Sequence, residues 1–89
     1  MILYRLYIDG VKGYKHLGTY DTEQTIKSLD SLILEKNCSE KILAIEQNVE
    51  DNMDFPVFLY LGNQEEYINF RNYLEDTTIK RETKKFVRR

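Results

Sequence analysis

The stretch Phe55-Pro56-Val57-Phe58-Leu59-Tyr60-Leu61, then Gly62-Asn63, then Gln64-Glu65-Glu66-Tyr67-Ile68-Asn69-Phe70-Arg71-Asn72-Tyr73-Leu74 decides the fold. Its first part is the most apolar run in the chain and reads as a strand. Val57 to Leu61 is apolar on both faces, which predicts a central position in a sheet. Pro56 lacks an amide proton, so it belongs at a strand start or on an edge. Asn63 with Glu66 three residues on is a helix-entry signature. Tyr67, Phe70 or Arg71, and Leu74 then form an inward stripe, widened by Ile68 and Tyr73, over a helix predicted at 64–76.

The same grammar stands earlier in the chain. Ile2, Tyr4, Leu6 and Ile8 alternate with Leu3, Arg5 and Tyr7, the period-two pattern of a half-buried strand. Asp9-Gly10-Val11-Lys12-Gly13 is turn chemistry. Tyr14 to Tyr20 returns as a more polar strand, suited to an edge. Asp21 and Gln24 form a capping box for a helix at 22–36, with Ile26, Leu29, Leu32 and Ile33 on its apolar stripe and Lys36-Asn37 closing it. Lys41 to Val49 is a third strand, and residues 50–54 are a loop. Asp21 corresponds to Asn63, Ile26 to Ile68 and Leu32 to Leu74. Two hairpin-plus-helix halves predict an α+β fold of ββαββα topology: a four-stranded antiparallel sheet with two helices on one face. Strand order does not follow from this pattern.

Eighty-nine residues make one domain with a modest core. The expected division is a globular part at 1–78 and a basic C-terminal tail at 79–89, with a helical extension through that tail left open. Residues 1–78 carry seven Lys/Arg and fourteen Asp/Glu, a net charge of −7, whereas 79–89 carry +5. An acidic body repels phosphate, which argues against nucleic acid binding over the folded part. One cysteine, Cys38, allows no internal disulfide. The N-terminal residues do not read as a signal peptide, and no apolar run approaches a membrane span. The expectation is a cytoplasmic protein without membrane contact.

No catalytic or cofactor motif stands out, so the expectation is a non-enzyme without cofactor or metal. His16 reads as a polar strand residue and Cys38 as a small structural one. Neither has the companions a zinc site requires. Glu46, Glu50, Asp51 and Asp54 are the densest carboxylates, but they lack the spacing of a calcium loop and read as a solvated hairpin.

Tyrosine is over-represented, with seven in the chain and no tryptophan. A sheet face bearing Leu3, Arg5 and Tyr7 has the composition of an interaction hot spot. The leading expectation is a small non-enzymatic protein that binds another macromolecule, with inhibition of that partner as one form of the same reading. Its contact residues would be Leu3, Arg5, Tyr7, Glu50, Asp51 and Asp54. Such a composition fits accessory or inhibitor proteins of the phage and mobile-element kind, with a protein partner and with homodimerisation open. The alternative is a nucleic-acid-binding domain using Lys12, Lys15 and the tail residues Lys80, Arg81, Lys84, Lys85, Arg88 and Arg89.

The run from Tyr14 through Leu17-Gly18-Thr19-Tyr20 to Gln24 resembles the last strand and helix entry of plant AP2-type and integrase arm-type DNA-binding domains. That resemblance implies a helix packed behind a three-stranded DNA-reading sheet. It covers this run alone. Thr25 and Ile26 replace the small residue usual inside that helix, and the hairpin offers only Arg5, Lys12 and Lys15 as cations. No family is assigned on it.

Overall fold

A computed structural model describes residues 1–87, with side chains described through Thr77. The elements are β1 (Ile2–Gly10), β2 (Gly13–Tyr20), α1 (Thr22–Leu29) continuing as a π-helical segment (Asp30–Glu35), β3 (Ile42–Asn48), β4 (Met53–Tyr60) and α2 (Gln64–Val87). This is the expected ββαββα topology. The sheet is antiparallel throughout, in the order β2-β1-β3-β4. The two halves therefore meet at their first strands, β1 against β3, and the second strand of each half lies at an edge.

Alternation along the strands selects the buried face. Tyr4 and Leu6 of β1, Ile42 and Ala44 of β3, and Tyr60 of β4 are buried together with Leu29, Ile33, Tyr67, Phe70 and Leu74 from the helical layer. Both helices thus cover one face. Ile68 and Tyr73, expected to widen the inward stripe of α2, stay outside the buried core at 39% and 44% exposure.

Each helix begins as its cap residues dictate. The Gln24 amide donates to Asp21 Oδ1 at 2.8 Å while the Asp21 amide donates to Gln24 Oε1 at 3.5 Å, completing the box. Asn63 Oδ1 accepts from the amides of Glu65 (3.0 Å) and Glu66 (3.3 Å).

The architecture departs from the sequence pattern at three further places in its elements. First, β4 is an edge strand, not a central one. Its apolar residues divide between Phe58 and Tyr60, which pack into the core, and Phe55 and Leu59, which stay exposed. Pro56, with no amide to donate, suits that edge. Second, the first helix changes register: the Lys36 amide reaches the Ser31 carbonyl at 2.9 Å, a wider turn than an α-helix. Asn37, at φ 51°, ends it in the left-handed region. The Ile33 carbonyl accepts from the Gln64 side chain at 3.0 Å, so the first turn of α2 satisfies an end group of the other helix. Third, α2 does not end at residue 76 but runs on to Val87, the helical extension that the sequence leaves open.

Candidate functional site

The face of the sheet opposite the helices carries Leu3, Arg5 and Tyr7, as their phase predicts. Across from them on β3 stand Gln47, Ile45 and Leu43. Beyond these on β4 lie Asp54, Pro56 and Leu59. On the other side, Thr19 and His16 of β2 oppose Arg5 and Tyr7, and the Tyr7 and His16 rings are 5.1 Å apart between centroids. Among the described residues no second layer covers this face. Leu3, Tyr7, Leu43 and Ile45 shield one another only to a half-buried state.

Arg5 joins two of the expected groups. Its guanidinium donates to the Asp54 carboxylate, reaching across β3 to do so. Asp54 is therefore not a loop residue, as expected from sequence, but the second residue of β4 with its side chain on the open sheet face. Arg5 Nε is buried and makes no hydrogen bond among the described residues.

Glu50 and Asp51 lie in the β3–β4 turn at one end of this face. Glu50 pairs with the Met1 ammonium at 3.0 Å, a mostly exposed contact of little energetic weight. Asp51 serves the turn itself: its amide donates to Asn48 Oδ1 at 3.2 Å, and Asn48 Nδ2 donates to its carboxylate at 3.0 Å. Asn52, at φ 52°, completes that reversal. Glu46 is separated from these carboxylates. It points into the helical layer, where Oε1 accepts from the hydroxyls of Tyr4 (3.0 Å) and Tyr73 (3.1 Å). Among the described residues no group of three or more His, Cys, Asp and Glu is placed to hold a metal ion.

The cations of the alternative reading are dispersed. Lys12 lies in the β1–β2 turn at the opposite end of the sheet from Glu50 and Asp51. Lys15 pairs with Ile8 and so belongs to the other face from Arg5. The side chains of Lys80, Arg81, Lys84 and Lys85, and all of Arg88 and Arg89, lie outside the described residues. The Tyr14–Tyr20 strand does lead into a helix, as the DNA-binding resemblance implies. It is, however, the edge of a four-stranded sheet rather than the last of three strands.

Two features escaped sequence reasoning. One is the apolar partners Leu43, Ile45 and Leu59 on the open face, whose alternation with Ile42, Ala44 and Tyr60 is the signal that points to them. The other is a groove of about 690 Å³ between β4 and α2. Phe58 stacks on Phe70 in its floor (centroids 4.4 Å apart, planes 6° apart), and Phe55 and Tyr73 rim it. The apolarity of both faces of β4 was its signal.

Two other polar clusters have structural roles. Asp30 accepts from the Tyr67 hydroxyl and from Arg71 Nε (3.0 Å) and Nη2 (3.1 Å), while Arg71 also pairs with Glu75. Partial burial pushes the Asp30 carboxyl upward, but hydrogen bonds from Arg71 and Tyr67 and the Arg71 charge outweigh it and hold it below its ordinary value. Burial, then the Asp30 carboxylate, raises the Tyr67 hydroxyl, so it remains a donor. The Cys38 thiol lies 2.9 Å from Glu40 Oε2; burial and that carboxylate push it up, the opposite of what activates a thiol.

Among the described residues no helix is long and apolar enough to cross a membrane. No protein-family model matches the chain, and no curated protein and no solved structure matches it.

Proposed function

We propose that the chain is a non-enzymatic interaction protein of the cytoplasm that binds another protein through the open face of its sheet. The observation carrying this reading is the Arg5–Asp54 pair, set among half-buried Leu3, Tyr7, Leu43 and Ile45 with no covering layer among the described residues. An apolar patch with an arginine at its centre is the usual anatomy of a binding hot spot. Glu50 and Asp51 at one end of the face would steer a partner with a basic groove, so the chain would act as an accessory or inhibitor protein that competes for that groove.

The rival is nucleic acid binding through Lys12, Lys15 and the basic residues after 78. Its support is the charge of +5 over 79–89. A titration of short labelled DNA and RNA separates the two. The wild-type chain is compared with a variant in which Lys80, Arg81, Lys84, Lys85, Arg88 and Arg89 are all changed to Gln. Tight, salt-sensitive binding by the wild type that collapses in the variant would overturn the protein-binding reading. Absence of binding by either supports it. The mass in solution, measured alongside, shows whether a second copy is the partner.

A further inference from the structure

Three irregularities converge on a groove of about 410 Å³ between β2 and the first helix, on the face of the sheet away from Arg5. The β1–β2 register shifts between Leu6 and Tyr7, leaving Leu17 as the extra residue of a bulge turned toward the helix. Gly18 follows. A Cβ there would lie 2.5 Å from the Tyr20 hydroxyl, so the absent side chain is what allows the Tyr20 ring to fold back and donate to the Leu17 carbonyl at 3.3 Å. The opposite wall passes from α-helix to π-helix, which sets Ser31 and Lys36 one wide turn apart. Bulges and π-turns are enriched at functional sites.

The chemistry of the groove is asymmetric. Leu6, Leu17, Leu32 and the Tyr20 ring supply an apolar floor. Lys27, Lys36, Ser28 and Ser31 complete the lining, and no Asp or Glu is part of it. In a body of net charge −7, two of seven cations border one groove. Lys36 has no ionic partner among the described residues. Lys27 meets only Glu23, at 3.6 Å and well exposed. Neither serine hydroxyl is used in a hydrogen bond among the described residues, although both residues are half-buried.

We propose that this groove binds a small soluble amphipathic anion, an aliphatic body ending in a carboxylate. The chain would lie on Leu17, Leu32 and Tyr20, and the head would be held by Lys27, Lys36 and the two serine hydroxyls. The site is separate from the proposed protein-binding face, so either can fail without the other.

The test is a titration of sodium decanoate below its micelle concentration into the full chain, followed by backbone amide NMR shifts. Decyltrimethylammonium is the control of opposite charge. Decanoate is expected to give saturable shifts at Leu17, Gly18, Tyr20, Ser28 and Ser31, and the cationic control none. Lys27→Gln with Lys36→Gln is expected to weaken decanoate by about fivefold, as two exposed ion pairs would. Lys12→Gln with Lys15→Gln, outside the groove, is expected to leave it unchanged. The proposal is overturned if decanoate gives no saturable shift, if the cationic amphiphile binds equally, if the shifts map to the groove between β4 and α2, or if only anionic lipid vesicles bind.

Discussion

Replacing Asp30 by Asn tests how the two helices are held to one another. The Asp30 carboxylate is the common acceptor for Tyr67 on one turn of α2 and Arg71 on the next. Asn keeps one oxygen for the Tyr67 hydroxyl but turns a donor amide toward the Arg71 guanidinium. A hydrogen bond to a charged group contributes about 1.5–3 kcal/mol when shielded. Asp30 and Arg71 retain 28% and 31% exposure, which lowers that figure. The expected cost is about 1–2 kcal/mol, or a fall in Tm of roughly 4–16 °C for a domain this size. Urea unfolding at neutral pH measures it, and Arg71→Leu with the double variant closes the cycle; the single losses should exceed the double by at least about 0.5 kcal/mol. The pH dependence has a definite sign. Because Asp30 is depressed in the folded chain, its contribution is complete above the ordinary carboxylate pKa of about 3.9 and is lost as pH falls through the lower folded value. Asp30→Asn should therefore lose stability at neutral pH and converge on the wild type in acid. Equal midpoints at neutral pH, or a difference that persists unchanged into acid, would show that the Asp30 carboxylate does not hold the helices together.

Other residues lead to similar tests. Gly18→Ala forces the Tyr20 ring off its seat and should cost about 1–3 kcal/mol, the usual range for overpacking; adding Tyr20→Ala should remove most of the clash, as read by thermal melts. Glu46→Ala deprives the Tyr4 and Tyr73 hydroxyls of a shared acceptor and should cost about 1–3 kcal/mol, whereas Glu46→Gln, which keeps an acceptor oxygen, should cost less in the same urea titration. Asp54→Ala breaks a partly exposed ion pair and should change stability by no more than about 1 kcal/mol, while weakening partner binding at least tenfold as measured by calorimetry.

Much of this fold was legible because its signals are local. Asp21 and Asn63 announce helix starts through a side-chain oxygen within reach of nearby amides, and two glycines at the first reversal announce a hairpin. What was illegible depends on partners distant in sequence. Apolar residues on both faces of β4 look the same whether a neighbouring strand or solvent lies beyond it. Only the pairing of β1 with β3 decides that β4 ends the sheet. The π-turn after Leu29 changes no hydrophobic spacing strongly enough to appear in the stripe of Ile26, Leu29, Leu32 and Ile33. For the candidate site, alternation alone put Leu3, Arg5 and Tyr7 on one face. It does not reveal that Arg5 reaches across β3 to Asp54, because residues 53 and 54 read as loop until the pairing of Asn48 and Gln47 with them places them on β4.

Binding of a protein partner by the open sheet face is measured by affinity capture from the cells that make the chain, with four baits compared by quantitative mass spectrometry. These are the wild type, Tyr7→Asp with Leu43→Asp, a charge reversal at Glu50, Asp51 and Asp54, and the variant with six tail cations changed to Gln. The expected result is one partner that the wild type and the tail variant retain and both face variants lose, each bait being folded by its far-UV spectrum. A partner retained by the sheet-face variants and lost with the tail cations would place binding on the tail and not on the sheet.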